Sequence, residues 1–147
     1  PANNVPKGRM LTDYSFGDNA WKYLDKMREL CDKNGITLLL VKAPSLYPYW
    51  YDEYDEQVVD YADKYNLTYI NLLKKSDETD TYDAGLHMNL SGAEKLSVYI
   101  GNILQNDMNV SDRRDNKELS DIWNKKIGEY EADIKKQCEY YNVTLQR

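Results

Sequence analysis

The feature that most limits what this chain can fold into is the run Ile36-Thr37-Leu38-Leu39-Leu40-Val41. It is short, almost unbroken in its apolar character and bounded by polar turns. Such a run predicts a strand buried on both faces, as in a parallel sheet covered by helices. Its surroundings agree. Upstream, Ala20, Leu24, Met27 and Cys31 recur at helical spacing with Trp21 and Leu30 beside them. Asp18 is a candidate N-cap for that helix, and Asn34-Gly35 is its stop signal. Downstream, a loop rich in Tyr, Pro and Trp runs from Lys42 to Tyr51. A second helix over 55–65, with Val58, Val59, Ala62 and Tyr65 on one side, and a second strand over 67–72 follow. This rhythm predicts an α/β domain built on a parallel sheet.

Residues 74–85 read as a polar, acidic loop. Ser91 and Glu94 have capping-box spacing and predict the start of a third helix, with Ala93, Leu96, Ile100, Ile103 and Leu104 on its inner face. Further on, Leu119, Trp123, Ile127, Tyr130, Ile134, Cys138 and Tyr141 recur at steps of three and four. They predict a long amphipathic helix packed on the domain or on a neighbouring copy. Residues 1–16 are polar, hold two prolines and read as a linker or arm. The chain therefore divides into an arm (1–16), an α/β part (17–106) and a helical extension (107–147). Only two strands are evident, whereas a doubly wound sheet has about five or six. We expect a piece of a larger domain. It is expected to self-associate, by strand or helix exchange, or to complete its sheet with the arm.

The 147 residues are 41% hydrophobic, enough for one core, and carry a formal charge of −6. That charge argues against nucleic acid and against an anionic membrane surface, since both need clustered Lys and Arg. No apolar run approaches the ~20 residues of a membrane span. Pro1 opens a stretch that reads like the interior of a longer protein, so an upstream signal or anchor stays open. Cys31 and Cys138 fall on apolar helix faces and read as small core side chains, with a disulfide between them left open. The chain has no CxxC pair and no His/Cys cluster, so no metal site is expected. It also has no Gly-rich phosphate cradle, so no cofactor is expected.

His87 is the only histidine. It follows a strand and a loop and precedes a helix, at the carboxyl edge of the predicted sheet, where open α/β proteins bind ligands. Near neutral pH imidazole is the natural acid–base carrier. Asp83 lies four residues before it and Asp80 seven before, and a carboxylate there can fix the imidazole tautomer.

The run Asp83-Ala84-Gly85-Leu86-His87-Met88-Asn89-Leu90-Ser91-Gly92-Ala93-Glu94-Lys95 resembles the last conserved block of the SGNH (GDSL-type) hydrolases, especially bacterial members. It is also similar to proteins that O-acylate cell-surface polysaccharides. The likeness spans residues 21–104, in the family's order of elements, and so covers only the C-terminal half of such a domain. It implies a partial flavodoxin-like, three-layer parallel sheet. It also implies catalysis by His87 with Asp83, and a parent protein that is a serine esterase or acyltransferase of acylated carbohydrate. The implied parent is extracytoplasmic or membrane-anchored.

Two departures qualify this. The family places its Asp three residues before His, where this chain has Ala84. An added loop residue, a substitute role for Asp80, or a His87 dyad would each account for that. The Gly-x-Ser nucleophile block and the oxyanion donors are also absent before His87, which is expected if they lie upstream. Ser45 follows the first strand but lacks the Gly-flanked elbow of a nucleophile. Lys42, Ser45 and Asn89 are instead candidate pocket residues, with the Tyr47–Tyr51 loop either lining that pocket or packing as structure. The alternative is a non-catalytic α/β module that binds or assembles through the sheet edge.

Overall fold

The first helix, α1 (Asp18–Lys33), begins one residue earlier than the N-cap reading places it: Gly17 is the N-cap and Asp18 lies in the first turn. There its carboxylate faces the positive end of the helix dipole. The helix ends at Asn34, and Ile36 N–H reaches back to the Cys31 carbonyl at 2.9 Å. This is the closing bond of a Schellman motif. The computed structural model describes residues 4–144. It divides into two units, Pro1–Gly92 and Ala93–Arg147.

In the first unit, β1 (Leu39–Lys42) pairs in parallel with β2 (Thr68–Asn71), Leu39 opposite Thr68 and Lys42 opposite Asn71. Helix α2 (Asp52–Tyr65) connects them. It starts earlier than residue 55, because Asp52, Glu53 and Asp55 all suit a first turn. Its C-cap, Asn66, is left-handed (φ 52°). The fold is thus mixed α/β, and the parallel sheet has two strands among the described residues.

The expectation of a first strand over 36–41 buried on both faces is corrected. Ile36 is 57% exposed and lies before β1, while Val41 within it is 40% exposed. The reason is that β1 has a single hydrogen-bonded neighbour among the described residues, so pairing begins only where Thr68 is available. Leu72 and Ala62 are buried apolar side chains of this unit, as is Pro44. Leu72 N–H extends the ladder to the Lys42 carbonyl at 3.0 Å.

The arm adds no strand among the described residues; side chains fasten it. Gln57 on α2 donates to the Tyr14 carbonyl at 2.8 Å and accepts from Phe16 N–H at 3.2 Å. Tyr51 OH donates to the Arg9 carbonyl. The Phe16 ring packs edge-on against Trp21 and tilts against Trp50 and Tyr54, while Tyr14 meets Tyr51 and Tyr54. Contacts of this geometry add about 0.5–1.5 kcal/mol each beyond area burial. A chain poor in buried aliphatics is therefore held by interlocked rings.

The segment read as a loop over 74–85 contains structure. A 3-10 turn (Glu78–Asp80) leads into an antiparallel hairpin of β3 (Thr81–Tyr82) and β4 (His87–Met88). Helix α3 (Leu90–Asn106) follows. Its cap is Asn89, whose side-chain oxygen accepts from Gly92 N–H at 3.0 Å. The capping box read at Ser91 and Glu94 is therefore corrected by two residues. Asn89 wins because its amide also donates to the Thr79 carbonyl at 2.6 Å. That bond fixes the side chain before the helix begins.

In the second unit, α4 (Lys117–Tyr141) is the predicted long helix, opened by Asn116 accepting from Leu119 N–H at 3.0 Å. Tyr130 OH donates to Glu94 of α3 at 3.1 Å. Ile134 is buried, but Trp123 and Ile127 on the same stripe are half-exposed or more. Cys31 and Cys138 are free, half-buried thiols. Among the described residues no helix is long and apolar enough to cross a membrane.

Candidate functional site

The hairpin builds the site. Its turn, Asp83–Leu86, is closed by Leu86 N–H to the Asp83 carbonyl at 3.0 Å. Asp83, Ala84 and Gly85 all have positive φ (54°, 57° and 80°). Right-handed twist between paired strands favours such turns, but normally with Asn or Gly at the central positions. Ala84 in this region carries about 1 kcal/mol of strain. The turn carries the chain back so that Asp83 and His87, four residues apart, meet: His87 Nδ1 lies 3.0 Å from Asp83 Oδ2. An ionised carboxylate accepts only, so this contact favours the tautomer with the proton on Nδ1 and none on Nε2.

Of the two carboxylates before the histidine, Asp83 is the one in contact with it. Asp80 is buried elsewhere, its carboxylate receiving Asp77 N–H at 3.4 Å in the 3-10 turn. His87 and Asp83 are 55% and 59% exposed. At that exposure their contact contributes only about 0.2–1 kcal/mol. Their pairing orients the ring more than it stabilises the fold. Tyr82, the cross-strand partner of His87, lays its ring beside the imidazole with centroids 5.6 Å apart and planes 32° apart.

The other candidates lie differently. Ser45 Oγ donates to the Gly85 carbonyl at 3.0 Å and accepts from Tyr47 N–H at 3.1 Å. Its proton is thus directed at a backbone oxygen of the turn, and the serine fastens the loop after β1 to the hairpin. Leu46 N–H reaches the same carbonyl at 2.9 Å. Gly85 is required there: a Cβ would stand 2.7 Å from Leu46 Cβ. Asn89 caps α3 with its oxygen and donates its amide to the Thr79 carbonyl.

Lys42 belongs to another cluster. Its amine donates to the Ala43 carbonyl at 3.0 Å and sits 5.0 Å from the Trp50 ring centre. Burial lowers its pKa. Beside it, Asp55 Oδ1 collects Trp50 Nε1 at 3.4 Å, Asn71 Nδ2 at 2.7 Å and the Tyr69 hydroxyl at 2.5 Å. Burial, then the Asp55 hydrogen bond, pushes the Tyr69 phenol far above its ordinary range.

Sequence reasoning missed Tyr82 and the Asp55 cluster. Tyr82 is legible only once the hairpin register is known, for which Asp83-Ala84-Gly85 is the one local signal. The members of the Asp55 cluster are too scattered in the chain for any spacing to join them. Among the described residues no three His, Cys, Asp or Glu side chains group as a metal site. Comparison with known proteins returns no match, whether to a family model, to a curated protein or to a solved structure.

Proposed function

We propose that His87 and Asp83 are the base and the orienting carboxylate of an SGNH-like serine esterase or O-acyltransferase acting on acylated carbohydrate. In this reading the serine and the oxyanion donors lie outside these 147 residues, and the present fold is part of a flavodoxin-like three-layer sheet. The observation that carries it is the 3.0 Å contact of His87 Nδ1 with Asp83 Oδ2, which leaves Nε2 as the reactive nitrogen.

The chemistry follows from that arrangement. Nε2 takes the serine proton as the serine oxygen bonds to the acyl carbon. The imidazolium, held by Asp83, then returns the proton to the departing alcohol oxygen. Water or a sugar hydroxyl attacks the acyl-serine with the same base, which separates hydrolase from transferase. The half-exposed strand β1 supports a sheet that further strands complete.

The test is fluorophosphonate labelling of the full-length gene product. Labelling at a serine, abolished in His87→Ala and weakened in Asp83→Asn, is expected; labelling indifferent to His87 overturns the reading. The 147-residue chain by itself is expected not to turn over p-nitrophenyl acetate. Turnover lost in both His87→Ala and Ser45→Ala would make Ser45 the nucleophile instead. A binding or assembly module is the second reading, favoured by the commitment of the Ser45 proton to the Gly85 carbonyl.

A further inference from the structure

We propose that Tyr82 is a positioning residue for His87: its ring holds the imidazole plane so that Nδ1 stays on Asp83 and Nε2 stays clear. The meaning of this for catalysis rests on the reading above; the physical claim does not.

Directly paired residues of an antiparallel ladder place their side chains on one face. Tyr82 and His87 are such a pair, and their rings lie within the 4.5–7 Å range of attractive aromatic contacts. A histidine ring has two torsions to fix. A hydrogen bond at one nitrogen restrains position but leaves the ring free to rock about that bond. A second contact on its face removes this freedom. Among the described residues Asp83 meets His87 at its nitrogen and Tyr82 at its face. Tyr82 is itself 55% exposed, so its ring is not explained by core packing. Tyr82 and Asp83 are consecutive residues that lead into the turn, and His87 follows it. The strained backbone at Asp83 and Ala84 therefore brings both restraints to one ring.

The experiment is ¹⁵N NMR of the imidazole in the 147-residue chain, reading the ratio of the Nδ1–H to the Nε2–H tautomer. Tyr82→Phe keeps the ring and is expected to keep the ratio. Tyr82→Thr and Tyr82→Ile, both good strand formers, are expected to lower it about threefold. The Thr81 and Met88 backbone shifts report whether the hairpin stays paired. An unchanged ratio in a paired β-branched variant overturns the proposal. A fall in Tyr82→Phe equal to that in the others does so as well. If pairing is lost in both β-branched variants, the ring is a structural prop and the proposal also fails. No serine or ester enters this measurement, so its failure is distinct from failure of the fluorophosphonate test.

Discussion

The hydroxyl of Ser45 and the carbonyl of Gly85 are joined at 3.0 Å, which ties the end of the parallel pair to the turn that carries Asp83. A serine in this role is a staple. Ser45→Ala is expected to destabilise the chain by about 1 kcal/mol, the usual net worth of a hydrogen bond. The check is a shift of the urea midpoint with an unchanged slope. The His87–Asp83 pairing, read by NMR, is expected to loosen in the same variant.

Ala84 holds φ 57° without the freedom of glycine. Ala84→Gly is expected to stabilise the fold by about 0.5–1 kcal/mol, because relief of left-handed strain outweighs the added chain entropy. The melting temperature should rise by about 1–4 °C. A fall would show that the turn is not strained at this residue.

Gly92 gives the opposite sign. In an isolated helix Gly→Ala gains about 1 kcal/mol. Here the new Cβ would stand 2.3 Å from the Asp80 carbonyl oxygen, which is backbone and cannot swing aside. Gly92→Ala is therefore expected to lose about 1–3 kcal/mol net through overpacking. Chemical denaturation checks it, and a stabilised variant would mean that α3 does not start against the 3-10 turn.

The Tyr69 phenol, raised first by burial and then by Asp55, sets a pH dependence. Its folded value lies above the unfolded value of about 10. Its contribution is therefore full below about pH 10 and is lost as pH rises from there towards the folded value. Tyr69→Phe should lower stability at neutral pH and flatten the alkaline decline. Denaturation midpoints compared at about pH 8 and about pH 11 measure both effects; parallel declines would remove Tyr69 as the cause.

The helices and both parallel strands were legible in the sequence, the helices from a local period and the first strand from a short apolar run. Their ends were less so. The strand expected from Ile36 starts at Leu39, because a strand extends only as far as its partner, and Thr68 is the first partner available. Ser91 looked like the α3 cap by spacing. Asn89 has the place because Thr79, ten residues away, holds its amide. The short hairpin has no period at all, and only its turn residues hinted at it. For the site, the choice of His87 needed one residue type and a position. The partnership with Tyr82 needed a register, which two-residue strands do not write into a pattern.

The arm has a consequence in time. Its fastenings to Tyr51 and Gln57 link residues 41 to 43 positions apart. A ribosome making about 5–20 residues per second therefore produces the arm several seconds before Tyr51 and Gln57 exist. Throughout that interval Tyr14 lacks its ring partners, and Phe16 has only Trp21 of its own. Among the first segments of its unit to be made, the arm is among the last to lock.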